Sequence, residues 1–408
     1  MKLIFPEQQI RTPKPRKNAR IRHYIFLKDV LKLALTAFGG PQAHIAMMLR
    51  LMVEKRRYLS EKELIELNAL CQILPGPTST QTLTAIGFRV GGPTLAYLTL
   101  LVWIAPTAIF MTLVGLAMSY LARNDIPLYF MRFIQPIAVG FVAFAAYRIS
   151  SKVVVTKTGI VLMVISAILS YFFRSPWVFP LLLIAGAVVT AFRFKKHPKE
   201  PNKNLKIDWS NFILFGATLV VAAVLGGATH LLPIRLFENF YRNGSLIFGG
   251  GQVLIPLMYT EFVEFKGYLT SEEFLSGFAL AQAIPGPTFI FCTYIGTLAM
   301  RSYGIWGQLL GSLVATIGIF LPGTFLIFFI IRFWEELKKY RIIKASLEGI
   351  NAVSSGMVCA AAILLYHPIE SSMLNLGIVV ATFSLLLWTR IPPYALILLG
   401  LITGIFIH

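Results

Sequence analysis

The chain has 408 residues and a formal net charge of +19, with 56 % apolar and only 13 % charged residues. A soluble domain carries roughly a quarter charged residues, so soluble, disordered, collagen-like and disulfide-stapled classes are excluded and lipid must be the main solvent. A spanning helix needs about 20 apolar residues, which leaves room for roughly ten to thirteen of them.

The 37 Lys and Arg outnumber the 18 Asp and Glu. In so apolar a chain, excess bases mark cytoplasmic loops and set orientation rather than bind nucleic acid. Residues 1–24 hold Lys2, Arg11, Lys14, Arg16, Lys17, Arg20 and Arg22 against Glu7. No apolar core with a cleavage site follows directly, so this is a retained cytoplasmic tail that can rest on anionic headgroups.

Residues 25–192 form a first repeat. Two apolar segments broken by Gly and Pro come first, near 26–51 and 61–90, followed by spans near 93–121, 126–149, 157–173 and 176–192. A polar linker with Lys195, Lys196, Lys199, Lys203 and Lys206 leads to an apolar stretch without a counterpart, 209–230. Linker and unpaired helix make up residues 193–232. A second repeat fills 233–408, with broken segments near 234–259 and 271–300 and spans near 304–332, 346–366, 372–389 and 391–407.

The duplication shows in four features at one offset of 210. Phe38-Gly39-Gly40-Pro41-Gln42 returns as Phe248-Gly249-Gly250-Gly251-Gln252, and Pro75-Gly76-Pro77-Thr78 as Pro285-Gly286-Pro287-Thr288. Tyr58-Leu59-Ser60 returns as Tyr268-Leu269-Thr270, and Gln72 as Gln282. Ser60 with Glu63, and Thr270 with Glu273, have capping-box spacing and start helices.

Each half has an even number of segments, so one unpaired helix turns the second half upside down. The fold class is therefore an all-α polytopic membrane protein with two inverted repeats. It has 13 membrane segments, counting the broken ones. The tail, the 193–206 linker and the loop with Arg332, Lys338, Lys339, Arg341 and Lys344 then share the cytoplasmic side of the cell membrane. The broken segments either cross fully or re-enter. The positive loop at residues 50–63 and the negative loop at residues 261–273 obey the positive-inside tendency only if they re-enter, which is the favoured form.

Pro41 and Pro77 each suit the first turn of a new helix. Backbone broken at membrane depth is tolerated only in protein or along a cavity. New helix N-termini offer free N–H donors and about half a positive charge each, which suits an anion. The candidate substrate-binding residues are Gly39, Gly40, Pro41, Gln42 and His44, with Pro75, Gly76, Pro77, Thr78, Ser79, Thr80 and Gln81. From the second half come Gly249, Gly250, Gly251 and Gln252, with Pro285, Gly286, Pro287 and Thr288. Four such N-termini offset about two negative charges, which fits a small oxyanion. The alternative is a set of kinks used only for close helix packing.

His44 either meets an anion or a proton, or bonds a neighbouring carbonyl; its counterpart is Leu254. Arg89 and Arg301 lie roughly 18–21 Å beyond Pro77 and Pro287, where snorkelling to the surface is expected. Arg132 and Arg148 read the same way, and Glu348 as a helix-terminal salt bridge. Cys71, Cys292 and Cys359 are small core residues. HExxH, GxSxG, Walker A and GxGxxG motifs are absent, so neither an enzyme nor a nucleotide-driven pump is expected, and no cofactor or metal. Carboxylates are scarce in the apolar stretches, which disfavours a cation carrier.

At Phe38 to Ile45, Pro75-Gly76-Pro77 with Thr80-Gln81, Phe248 to Pro256 and Pro285-Gly286-Pro287, the chain resembles the long, two-half form of the chromate ion transporter family. Tyr58 and Tyr268 stand where that family often has Trp. The resemblance implies secondary export of chromate, with sulfate as a related oxyanion; the alternative is an anion channel or a carrier of another oxyanion such as sulfate. The expected partners are the oxyanion and the lipid bilayer, without nucleic acid. The oligomeric state stays open, a homodimer among the options.

Overall fold

The computed structural model describes residues 19–126, 129–154, 156–192, 209–248, 251, 253–331, 341–389 and 391–406. The basic tail to residue 18, the whole 193–206 linker, Arg332, Lys338 and Lys339 lie outside the described residues, as do Gly249, Gly250, Gln252 and the side chain of Gln42. All regular structure among the described residues is helical, and five helices are long and apolar enough to cross a membrane.

In the first half, α1 (Ala19–Thr36) stops at Gly39 and Gly40, whose φ values of 93° and 74° are left-handed. Glycine adopts these without a Cβ clash. With Pro41 in its first turn, α2 (Gly40–Met48) begins and runs into a π-helical turn, Leu49–Lys55. Ser60 and Glu63 form the expected capping box at the start of α3 (Glu61–Ile73). Gly76, at φ 116°, turns the chain into Pro77, the cap of α4 (Thr78–Arg123). Gly91 and Gly92 leave helical geometry, so α4 bends into a short limb, 78–90, and a long limb, 93–123.

The second half repeats this with α9 (Leu232–Leu246), α10 (Leu254–Tyr259), a π-helical turn Thr260–Phe265 and a capping box of Thr270 and Glu273 on α11 (Ser271–Ala283). Gly286 has the same φ as Gly76, 116°. Here the last limb is split into α12 (Phe291–Ala299) and α13 (Gly304–Ile330) by a short 3-10 turn at Arg301–Tyr303. The kink at Gly92 and the break at Gly304 share their unusual dihedrals, so two residues have been added to the offset by that point.

The broken segments fold back on themselves. Asp29 on α1 accepts from Arg56 at 2.9 Å and from the Tyr58 hydroxyl at 2.9 Å. Glu63 pairs with Arg89, so the start of α1 and α3 and the ends of α2 and the short limb meet at one base. In the second half Glu273 pairs with Arg301, which also donates to the Tyr268 carbonyl. The breaks lie at the opposite tips. The long limb of α4 runs antiparallel to α13: Tyr97 packs edge-on to Phe328 at 5.1 Å, while Gln308 donates to Ser119. The two bases are therefore at opposite ends of the molecule.

Around this centre stand α5 (Ile134–Val153), α6 (Lys157–Phe172) and α7 (Val178–Ala191) of the first half. Their counterparts are α14 (Arg341–Leu364), α15 (Met373–Trp388) and α16 (Pro393–Phe406). Helix α14 packs against α5, α6 and α7, and α5 against α14, α15 and α16, so each half clasps the other. Between the halves, α8 (Ser210–Thr229) is apolar and mostly unburied, as a lipid-facing crossing should be. Cys71 and Cys292 are buried, Cys359 half-buried, and all three are free thiols.

Candidate functional site

The four tips meet through a reciprocal pair of backbone hydrogen bonds. Gly76 N–H donates to the Ile247 carbonyl at 2.8 Å, and Gly286 N–H to the Ala37 carbonyl at 3.0 Å. Ile247 is Ala37 shifted by 210 residues, and Gly286 is Gly76 shifted by 210. Each tip thus bonds the equivalent of its own neighbour in the other half. That is the self-complementary contact which a two-fold relation produces.

Side chains lock the crossing. A Cβ on Gly286 would lie 2.4 Å from Thr107 Oγ1, and one on Gly76 would lie 3.0 Å from Gln81 Nε2 and 3.4 Å from Gly323. Thr107 donates to the Pro285 carbonyl at 3.1 Å. Gln81 donates to the Pro75 carbonyl at 2.8 Å and to the Gly323 carbonyl at 3.2 Å. His44 Nε2 donates to the Ala37 carbonyl at 3.1 Å, the same oxygen that takes Gly286 N–H. Its Nδ1 is therefore free to accept from Ser79 at 3.0 Å. Trp103 stands edge-on to His44 at 5.4 Å and donates to Thr80 Oγ1 at 3.0 Å.

Of the expected residues, the structure brings together Gly39, Gly40, Pro41 and His44, Pro75 to Gln81, Gly251 and Pro285 to Thr288. A Cβ on Gly251 would touch Thr288 at 3.0 Å, which closes the ring of tips. Their roles differ. His44, Ser79, Gln81 and the N–H groups of Gly76 and Gly286 are committed to holding the crossing. Thr78, Ser79, Thr80 and Gln81 are buried. Open space lies instead at Gly40, where a Cβ would meet nothing within 4 Å, and at half-buried Thr288; a Cβ on Gly39 would lie 3.1 Å from Ala43. His44 follows the carbonyl-bonded alternative.

Other expectations need correction. Arg89 and Arg301 do not merely snorkel; each pairs with the capping-box glutamate of its own half. Glu348 accepts the hydroxyl of Thr156, the residue that caps α6. Glu261, counted as a loop charge, is 1 % exposed in the π-helical turn, and Asp29 on α1 is 5 % exposed. Arg242 holds Glu261 at 3.1 Å and Glu238 at 2.9 Å, and Lys266 reaches Glu261 at 3.6 Å. Position 266 matches Arg56, so each half ties a buried carboxylate to the same basic site but draws the carboxylate from a different helix. Thr107 and Gly323 also went unnoticed in the sequence. Each follows a mid-helix proline, Pro106 or Pro322, and that dipeptide is the signal that could have found them.

Two halves that cross through glycine tips, in a chain this apolar and helical, define an all-α multi-pass membrane protein. The family model described as Chromate transporter matches residues 25–191 and 234–405, and the chain belongs to that family. It is 28 % identical to a "Probable chromate transport protein" of Synechococcus elongatus, over 92 % of this chain and 93 % of that one. It is also 28 % identical to a "Chromate transport protein" of Pseudomonas aeruginosa, over 82 % and 78 % of the two chains. An uncharacterized transporter of Methanocaldococcus jannaschii is 27 % identical over 92 % of each. No solved structure matches the chain.

Proposed function

We propose that this protein is a secondary transporter that exports a small oxyanion, chromate foremost, across the cell membrane. The carrying observation is the reciprocal crossing of four broken tips beside the open N-terminus of α2. The donors there are the backbone N–H groups of Gly39 and Gly40 at the start of α2, with the Thr288 hydroxyl across the crossing; Pro41 has no N–H and sets the turn. A helix N-terminus of this kind attracts an anion with about half a unit of positive charge and unpaired N–H groups.

The two halves act as inverted repeats, with the base of the first half on the cytoplasmic side beside the basic tail. Re-entry of the broken segments is supported by the Arg174–Glu264 ion pair at 3.3 Å. Full crossings would put the α6–α7 turn and the second-half base on opposite faces. An inside-negative potential of 100 mV drives a dianion outward by about 4.6 kcal/mol, so export needs no nucleotide. Chromate is preferred to sulfate because relatives that match most of the chain carry chromate in their names.

The test is flux in vesicles holding the purified chain. Saturable chromate movement that follows the potential and is inhibited by sulfate supports the assignment. Absence of chromate flux, or channel-like unitary currents, refutes it.

A further inference from the structure

Buried polar groups in folded proteins nearly always have partners, so a group of orphans needs an explanation. On one face of α9, Asn239, Arg242 and Asn243 sit at i, i+3 and i+4, close enough for their side chains to be neighbours. Asn243 is 0 % and Asn239 2 % exposed. Neither polar atom of Asn243 has a hydrogen-bond partner among the described residues, and the same holds for Asn239 Nδ2 and Arg242 Nη1. Arg242 is otherwise fully used: Nε on Glu238, Nη2 on Glu261 and the side-chain Oδ1 of Asn239, with its guanidinium over the Trp177 ring at 5.4 Å.

Three amide or guanidinium nitrogens against one oxygen leave a large excess of donors. Water brings donors and acceptors equally; an oxyanion brings acceptors alone. The nearby carboxylates are already matched, Glu238 and Glu261 by Arg242 and Lys266, and Glu264 by Arg174. The local charge is balanced, so an anion here would be held by hydrogen bonds and released readily. An ion handed from one site to the next must be held this weakly to leave again. Asn243 lies four residues before Ile247, whose carbonyl takes Gly76 N–H, so the cluster is about 6 Å along the helix from the crossing.

The duplicate half supplies the control. Leu33, 3 % exposed, fills the position equivalent to Asn243. Packing therefore does not demand an amide there. We infer that Asn239, Arg242 and Asn243 form a second, transient subsite for the transported oxyanion, between the crossing and the base of the second half. This inference rests on the transport reading above.

The experiment is chromate flux in oriented vesicles for the unmodified chain, Asn243→Leu and Asn243→Ser, with chromate presented in turn at each face. The expected result is a rise of about tenfold in apparent KM at the face of the second-half base, the size of one or two lost hydrogen bonds, with the opposite face unchanged. Asn243→Leu should also raise the unfolding temperature, since an unpaired amide is removed. A merely structural role would move both faces together. Unchanged KM at the second-half face in a chain that still carries chromate overturns the subsite alone. If Asn243→Leu fails to fold, Asn243→Ser reads the same KM. If the unmodified chain carries no chromate, the transport reading falls and the subsite with it.

Discussion

Replacing Gly286 by alanine tests the crossing most directly. At φ 116° an L-residue is strained, by about 1–2 kcal/mol. The new methyl would sit 2.4 Å from Thr107 Oγ1, so the threonine must turn away and release the Pro285 carbonyl. That costs about 1 kcal/mol, and any shift of the tip weakens the bond from Gly286 N–H to Ala37 by a similar amount. The expected loss is about 3 kcal/mol. Thermal unfolding of purified protein, followed by fluorescence, ranks Gly286→Ala against two controls. Gly40→Ala has left-handed strain but no clash, and should lose about 1 kcal/mol. Gly227→Ala on α8 meets no atom within 4 Å and should be neutral or slightly stabilising. Adding Thr107→Ala should recover part of the Gly286→Ala loss, because the clash partner is gone. Equal unfolding midpoints for Gly286→Ala and Gly227→Ala would refute the claim that the crossing depends on this close approach.

His44→Leu keeps bulk close to that of the Leu254 counterpart but strips one bond from the Ala37 carbonyl and orphans Ser79; about 1–3 kcal/mol of stability should go, and an unchanged midpoint with lost chromate binding would assign His44 to substrate instead. Arg301→Ala should destabilise more than Arg89→Ala, because the Glu273 side chain is 8 % exposed and that of Glu63 30 %; exposed pairs give at most about 1 kcal/mol, and a reversed order in thermal midpoints would contradict the burial argument. Lys62→Cys and Glu272→Cys occupy equivalent exposed positions on the two bases, so an impermeant maleimide should label Glu272→Cys in intact cells and Lys62→Cys only after the cells are opened; labelling of both in intact cells would rule out an inverted arrangement.

Much of the centre was legible in the sequence. The 210-residue offset located both capping boxes and the breaks at Gly39 and Gly76, because caps, glycines and prolines act through local backbone geometry. What joins the tips was not legible. Gln81 was recognisable as polar, but its carbonyl partner at Gly323 is 242 residues away, and no local pattern encodes that pairing. Glu261 read as a loop charge because a glutamate-rich stretch is usually solvated; its burial depends on a π-helical turn and on Arg242 arriving from another helix. The split between α12 and α13 was legible as the boundary between the segments near 271–300 and 304–332; what stayed hidden is that two residues have been added by that point, which leaves hydropathy unchanged while altering helical phase.

The reciprocal glycine bonds bear on how the chain is made. Their partners are separated by 171 and 249 residues. Contacts so distant in sequence close late, after most of the loop-closure entropy has been overcome. During synthesis the first half is inserted with Gly76 N–H still waiting for Ile247, while the Ala37 carbonyl has only His44 of its own half. Completion of the fold is therefore timed by the emergence of residues 247 and 286, and until then the tips of the first half must stay near water or the insertion machinery.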